Sequence, residues 1–234
     1  MPESLSLFLN HLVFGLYPYF ALTVLIVGSI LRYDRDQYSW KAGSSQLLRS
    51  KGMRIGSNLF HIGIILLFFT HLVGLLTPES LYHLVITTEA KQVMAMVGGG
   101  ILGSICFIGL TMLLYRRMTD KRIRATSKFS DILLLWVLYI QLILGLTTIF
   151  FSAQHMDGSS MVALANWAQH IMTFRSGAAD YVLHEPWVFK VHLFLGLSIF
   201  VIFPFTRLVH MLSVPVKYIF RSGYQIVRRR GRGY

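Results

Sequence analysis

The chain has 234 residues, of which 54% are hydrophobic and 14% are charged, whereas a soluble domain carries about 25% charged residues. Few charges between long apolar runs indicate an integral membrane protein. The net charge of +12 does not indicate a nucleic acid partner, because the basic residues lie between the apolar runs and follow membrane topology. The single cysteine, Cys106, excludes an intrachain disulfide and a multi-cysteine metal site.

Three apolar runs in the first half of the chain predict membrane-spanning helices, because a span takes about 20 apolar residues. The first runs roughly over 12–31, with Tyr17-Pro18-Tyr19 near its start, where proline costs little and tyrosine suits the membrane interface. The second runs roughly over 55–76 and ends at Thr77-Pro78. The third runs roughly over 92–115.

Two further spans are predicted in the second half, roughly over 132–151 and 187–212. The connection between them is long, and its stretch MVALANWAQHIMTF predicts a helix that lies in the membrane interface. A basic tail follows the last span. We therefore expect an all-α integral membrane protein, with a five-helix transmembrane domain over 1–218 and a basic cytoplasmic tail over 219–234.

The distribution of lysine and arginine predicts the orientation of the five spans, because basic residues collect on the cytoplasmic side. The connections after the first and third spans hold six basic residues each, and the C-terminal end holds seven, so that 19 of the 22 lie on one side. Lys91, Arg175 and Lys190 lie on the other side. The N-terminus is therefore expected outside and the C-terminus in the cytoplasm.

Four histidines lie within two of the spans, two in each. His61 and His71 are ten residues apart in the second span, and His192 and His210 are eighteen apart in the fifth. Ionisable side chains within a bilayer are costly and are usually functional. If the two spans are antiparallel neighbours, His61 faces His210 on the inner side and His71 faces His192 on the outer side.

The four histidines predict two bis-histidine b-type haems. The two histidines are about 15 Å apart along the second span, which is too far for one metal ion, and about 27 Å apart along the fifth. This mismatch requires helix tilt or haems of differing inclination. A carboxylate-bridged di-iron site requires acidic residues, and neither span contains one. Imidazoles in apolar surroundings suit a large hydrophobic cofactor. The alternative is that these histidines are hydrogen-bonded packing residues.

Three basic residues at the membrane edges are candidates for the same site. Arg207, one turn before His210, and Arg117, at the inner end of the third span, could each bind a haem propionate. Ordinary basic flanking residues are the alternative for both. Lys91 lies alone at the outer end of the third span, as an interfacial lysine or as the polar anchor of an outer ligand site.

Six long motifs carry a resemblance to a known family. They are LRYDRDQYSWKAGSSQLL, SNLFHIGI, EAKQVMAM, RATSKFSDILLL, FSAQHMDGSSM and FPFTRLVHMLSVPVKY. With them the sequence resembles the cytochrome b, or gamma, subunit of the membrane-bound respiratory nitrate reductase, from about Tyr17 to Tyr218. The resemblance implies five spans and two b haems, with ligands falling on His61, His71, His192 and His210.

The same resemblance implies the function of the chain. It implies oxidation of membrane quinol, with Lys91 as the quinol-site lysine, and electron delivery to an iron–sulfur beta subunit and then a molybdenum-containing alpha subunit. It places the chain in the prokaryotic cytoplasmic membrane. His71 is expected to use its second ring nitrogen for a quinol oxygen or for a nearby carbonyl. Thr70 stands where the family pattern has a small residue.

Two other functions remain open from the sequence. The chain could serve another quinone-linked complex, such as a sulfur-compound reductase, or it could be a membrane anchor without a cofactor. The FSAQHMDGSSM loop and the length of the match favour the nitrate reductase complex over the other quinone-linked complex. A reduced-minus-oxidised spectrum with b-type bands would exclude the anchor.

Overall fold

A computed structural model describes residues 3–40, 45, 48, 52–154 and 156–213. Within these residues the regular structure is helical, and five segments are long and apolar enough to cross a membrane. They are Ser4–Asp36, Met53–Leu76, Thr88–Thr119, Phe129–Ser152 and Trp187–Phe205. The predicted all-α fold with five membrane-spanning helices is confirmed. The basic tail 219–234 lies outside the described residues.

Shorter helices join or extend these spans. In chain order the α-helices are α1 Glu3–His11, α2 Tyr17–Asp36, α3 Met53–Leu76, α4 Glu79–Tyr82, α5 Thr88–Thr119, α6 Lys121–Thr126, α7 Phe129–Ser152, α8 Ser159–Met172 and α9 Trp187–Ile202. The 3₁₀ segments are Gln37–Ser39, Ala178–Val182, Phe203–Phe205 and Arg207–Ser213. The predicted helix in the connection between the last two spans is therefore present, as α8.

The first span is longer than predicted and contains an irregular turn. A π-helical turn, Leu12–Leu16, joins α1 to α2, and Pro18 follows it directly. Proline has no N–H, so the carbonyl of Phe14, four residues earlier, lacks its usual helical donor. The indole Nε1 of Trp167 on α8 donates to that carbonyl at 2.9 Å. The distant α8 thus satisfies the backbone group that Pro18 leaves unpaired.

The second and third spans, α3 and α5, pack against each other as antiparallel neighbours. A β-carbon on Gly63 would lie 2.6 Å from the Cβ of Cys106, and one on Gly109 would overlap the backbone of Phe60. Small residues therefore allow these two helix backbones to approach closely, as is common in membrane bundles.

Apolar clusters close the two ends of the bundle. One contains Phe14, Trp167, Ile171 and Leu197, and it joins the first span to α8 and α9. The other contains Leu134, Phe203, Leu208 and Val209, at the end where the fifth span finishes. Large apolar side chains on the outer surface, such as Phe20 and Val73, remain exposed, as expected of a surface that faces lipid.

The fifth span differs from the single helix predicted over 187–212. Its α-helix ends at Ile202, a 3₁₀ turn contains Pro204, and Thr206 is extended with φ −115° and ψ −179°. A second 3₁₀ segment, Arg207–Ser213, then carries His210. Pro204 in this turn cannot continue the α-helical hydrogen bonds, so the regular helix is interrupted here. The distance of about 27 Å between His192 and His210 assumed one straight helix and does not apply.

Candidate functional site

The two histidines predicted to pair on the inner side, His61 and His210, lie close together as the sequence predicts. His61 on α3 and His210 on the last 3₁₀ segment have ring centres 6.2 Å apart, with an angle of 70° between the ring planes. Nδ1 of His61 lies 2.7 Å from the carbonyl oxygen of Ser57, and Nδ1 of His210 lies 2.5 Å from that of Arg207.

The two histidines predicted to pair on the outer side, His71 and His192, have nearly the same separation. His71 on α3 and His192 on α9 have ring centres 6.4 Å apart, with an angle of 40° between the ring planes. Nδ1 of His71 lies 2.7 Å from the carbonyl oxygen of Leu67, which also accepts from Thr70 Oγ1 at 2.9 Å. Of the two partners expected for the second nitrogen of His71, the structure has the carbonyl.

These carbonyl contacts determine which ring nitrogen is free. A carbonyl only accepts hydrogen bonds, so Nδ1 of His61, His71 and His210 carries the proton, and the lone pair of Nε2 is available. Metal-binding histidines usually have this arrangement. His192 differs, because its Nδ1 is buried without a hydrogen-bond partner among the described residues. The side chain of Gln141 on α7 lies next to His192. Nε2 of Gln141 donates to the His192 carbonyl at 3.1 Å and lies 3.5 Å from Nε2 of the His192 ring.

The separations of the ring centres fit two imidazoles that share one metal ion. A metal–imidazole bond is about 2.0 Å and the ring centre lies about 1.1 Å behind the nitrogen, so opposed rings have centres about 6.2 Å apart. Among the described residues there is no group of three or more His, Cys, Asp or Glu that could hold a metal ion. Two imidazoles at this separation, with no further ligand from these groups, suit a haem, whose macrocycle would supply the remaining ligands of the iron.

The two arginines proposed near the inner pair share a carboxylate that the sequence analysis did not single out. Arg207 Nε donates to Asp131 Oδ1 at 2.7 Å, and its Nη2 forms an ion pair with Oδ2. Arg117 Nη1 lies 3.8 Å from Asp131 Oδ2 and donates to Ser127 Oγ at 3.0 Å. The cluster of Arg117, Asp131 and Arg207 therefore has a net charge of +1, and it joins α5, α7 and the segment that carries His210.

Lys91 is buried within the first turns of α5 instead of lying at the surface. Its side chain is 7% exposed, and Nζ has no hydrogen-bond partner among the described residues. Nζ lies 3.7 Å from the centre of the Tyr82 ring, which gives a cation–π contact. A buried ammonium with free donors suits a ligand with oxygen acceptors. Because α3 and α5 are antiparallel with Gly63 opposite Cys106, Lys91 lies near the end of α3 that carries His71.

Three site residues were missed from the sequence: Asp131, Gln141 and Tyr82. Gln141 is a polar residue in the middle of an apolar span, a signal that could have identified it. Asp131 lies in the first turn of α7, where an acidic residue is favourable in any helix, so its pairing with Arg207 could not be read from the pattern. Tyr82 stands in a short connection without periodicity.

Comparisons with known proteins agree with this architecture. The family model described as nitrate reductase gamma subunit matches residues 10–230. The respiratory nitrate reductase 1 gamma chain of Escherichia coli is 51% identical over 223 residues, which cover 95% of this chain and 99% of the relative. The respiratory nitrate reductase 2 gamma chain of the same organism is 52% identical over 95% of this chain and 98% of the relative. The nitrate reductase gamma chain of Bacillus subtilis is 38% identical over 94% of this chain and 99% of its own length. The chain therefore belongs to the nitrate reductase gamma subunit family.

Proposed function

We propose that this chain is the two-haem cytochrome b subunit of a membrane-bound nitrate reductase. His61 and His210 hold one b haem, and His71 and His192 hold the other. The observation that supports this is the separation of 6.2 and 6.4 Å between the ring centres, close to the value of about 6.2 Å for two imidazoles on one metal ion. A bound haem supplies an iron that takes up and releases one electron.

The chain's own groups prepare both sites. The carbonyls of Ser57, Leu67 and Arg207 fix the tautomer and the ring orientation of three ligands, and Gln141 holds the backbone of the fourth. Each pair brings together residues from two different spans, so a stable bundle positions the ligands before a cofactor binds. The two sites are about 15 Å apart along α3.

Quinol oxidation is assigned to the outer pair. The ammonium of Lys91, buried beneath Tyr82, stabilises the negative charge that develops on a quinol oxygen as its proton leaves. His71 contributes as a haem ligand beside this site. Since its Nδ1 is bonded to the Leu67 carbonyl, the direct contact with quinol comes from Lys91.

Electrons leave at the inner pair, on the cytoplasmic side. The basic connections before α3 and after α5 and the C-terminal end attract an iron–sulfur subunit, which passes electrons to a molybdenum-containing subunit that reduces nitrate. Arg117 and Arg207, with Asp131, provide the charge next to the inner haem and donors for its propionates. The N-terminus is outside in this arrangement, and the complex lies in the prokaryotic cytoplasmic membrane.

The ligand assignment is tested by replacing each histidine with alanine and measuring difference spectra and the ratio of haem to protein. The unmodified complex should contain two b haems per chain. His61→Ala and His210→Ala should affect one spectral species, and His71→Ala and His192→Ala the other. Loss of the same haem in His61→Ala and His192→Ala would contradict the pairing.

The quinol site is tested with Lys91→Ala, and with Arg175→Gln as the control that removes an exposed cation at the same end of the bundle. Lys91→Ala should weaken the binding of a quinol analogue roughly 10-fold or more while both haems remain, because a charged hydrogen bond contributes about 1.5–3 kcal/mol. Arg175→Gln should leave that affinity unchanged. Equal affinities in Lys91→Ala and the unmodified complex would remove Lys91 from the site.

A second quinone-linked complex, such as a sulfur-compound reductase, is the alternative for the same two-haem chain. The two complexes are distinguished by purifying the chain together with its partners. If the chain belongs to nitrate reductase, it should purify with a molybdenum-containing subunit, and the complex should reduce nitrate. A chain without b-type bands would instead be a membrane anchor.

A further inference from the structure

The break in the fifth span leaves backbone carbonyls without their helical donors. After α9 ends at Ile202, the chain passes through Pro204 and the extended Thr206 before the 3₁₀ segment of His210 begins. Unpaired carbonyls in an apolar environment are costly, and within a membrane they need donors from protein.

A single arginine of the first span provides those donors. Nη1 of Arg32 donates to the carbonyl oxygens of Pro204 and Thr206, both at 2.7 Å. Nε donates to Ser39 Oγ at 3.1 Å and Nη2 to the Ser39 carbonyl at 3.3 Å. The guanidinium is therefore fixed between the end of the first span and the break in the fifth. By its charge and position Arg32 looks like an ordinary cytoplasmic flanking residue, but its contacts are specific.

The residue one turn before Arg32 completes the contact. A β-carbon on Gly28 would lie 2.8 Å from Pro204 Cγ and 3.0 Å from Pro204 Cβ, so only glycine admits the proline ring. Gly28 and Arg32 are four residues apart and lie on the same face of α2. Together they form the contact surface for Phe203–Thr206, with the proline ring packed on Gly28 and the two carbonyls bonded to Arg32.

This contact surface determines where His210, the proposed ligand of the inner haem, lies. Thr206, whose carbonyl Arg32 binds, directly precedes Arg207, and the carbonyl of Arg207 accepts from Nδ1 of His210 at 2.5 Å. The orientation of the imidazole is therefore linked through one short stretch of backbone to the guanidinium of Arg32. We propose that Arg32, which contacts the broken segment together with Gly28, is a positioning residue that fixes His210 as a ligand of the inner haem.

This inference rests on the proposed haem function and concerns only one of the two haems. Arg32→Gln keeps a polar side chain but cannot form the same bonds to both carbonyls, so His210 should lose its fixed orientation. We expect roughly 10- to 100-fold weaker retention of the inner haem, the range typical for residues that orient a metal ligand. The His71/His192 haem serves as the internal standard because Arg32 contacts neither of its ligands.

The experiment compares four variants of the complex purified from its membrane. Haem content, optical spectra and the electron paramagnetic resonance signal of each haem are measured in Arg32→Gln, Arg32→Lys, Gly28→Ala and Arg35→Gln. Arg32→Gln should change the signal that His61→Ala removes, Arg32→Lys should restore part of it, and Gly28→Ala should disturb the same signal from the other side of the break. Arg35→Gln removes the same charge from an exposed position and should leave both signals unchanged.

The outcomes separate this inference from the proposed function. If the unmodified complex lacks b haems, the proposed function fails and the inference with it. If both haems are present and Arg32→Gln leaves the inner signal unchanged, or if both haems are lost equally, only the inference is overturned. If Arg32→Gln does not accumulate, Gly28→Ala decides, and an unchanged inner signal in it overturns the inference.

Discussion

Gly145 of α7 lies against the imidazole of His192. A β-carbon at this position would be 3.0 Å from Cε1 of the ring and 3.7 Å from both ring nitrogens. On the neighbouring turn Gln141 binds the His192 carbonyl, so α7 contacts both the ring and the backbone of this ligand. The proposed ligand of the outer haem thus contacts a helix that supplies no proposed ligand itself.

We therefore expect Gly145→Ala to weaken the outer haem selectively. The added methyl group displaces the His192 ring at a cost of about 1–3 kcal/mol, which corresponds to roughly 10- to 100-fold weaker haem binding. Haem content and the spectrum of each haem provide the measurement. The control is Thr147→Ala on the same helix, because within the described part of the chain the Thr147 hydroxyl donates to the Ile143 carbonyl of its own helix. Full occupancy of both haems in Gly145→Ala would contradict this reading.

Among single residues, the sequence indicated the four histidines proposed as ligands, but not the residues that contact and hold them. A histidine in an apolar span is conspicuous, so all four could be selected and paired from spacing and topology. The support of His210 by Arg32 joins residues 178 positions apart in the chain, and no local pattern reports such a contact. Lys91 was found because it is isolated, but its burial beneath Tyr82 required the fold.

Among the elements, α3 and α5 make the closest pair. Gly109 lies against the backbone of Phe60, and a β-carbon there would also be 2.8 Å from the Gly56 carbonyl oxygen. Cys106, one turn before, is fully buried, and its Sγ lies 3.8 Å from the Phe60 carbonyl. Because α3 carries one histidine of each proposed haem site, we expect this contact to support both sites.

Gly109→Ala should therefore destabilise the whole bundle instead of one site. Forcing the helices apart costs about 1–3 kcal/mol. The temperature at which both haem spectra are lost should fall, and the two spectra should be lost together. Ser104→Ala on the same helix, at an exposed position, is the matched control. Selective loss of one haem in Gly109→Ala would show that the contact supports only one site.

The five spans were predictable because each is a long apolar run, whereas the shape of the fifth was not. A proline in a span can kink a helix or end it, and Pro204 alone does not decide between them. In the structure the α-helix ends, and Gly28 and Arg32 of the first span contact the broken segment. The first span is also longer than predicted, because the π-helical turn before Pro18 keeps the helix continuous.

For the molecule as a whole, the proposed direction of electron flow sets a requirement on the two haems. Electrons that move inward travel against a membrane potential that is negative inside. The sites are about 15 Å apart along α3, half of a hydrocarbon core of about 30 Å, so the step costs about 1.2 kcal/mol per electron at 100 mV. The inner haem is therefore expected to have the higher reduction potential, by about 50 mV or more.

The cluster of Arg117, Asp131 and Arg207 allows a test in which two substitutions should shift the reduction potential of the inner haem in opposite directions. Arg207→Gln removes positive charge next to the inner haem and should lower its reduction potential, whereas Asp131→Asn removes negative charge and should raise it. Redox titration of each variant measures both haems, and the potential of the outer haem should not move. Shifts of the inner potential in the same direction in both variants would indicate a structural effect instead of an electrostatic one.

The bond between Trp167 and the Phe14 carbonyl also has a consequence for biosynthesis. The ribosome delivers the first span long before α8, because donor and acceptor are 153 residues apart. Asn10, which donates to the Ala179 carbonyl at 2.7 Å, waits even longer for its partner. During insertion the carbonyl left unpaired by Pro18 must bond to water or lipid headgroups, which holds this part of the first span near the membrane surface. We therefore expect the first span to reach its final position only after four spans and α8 have been synthesised.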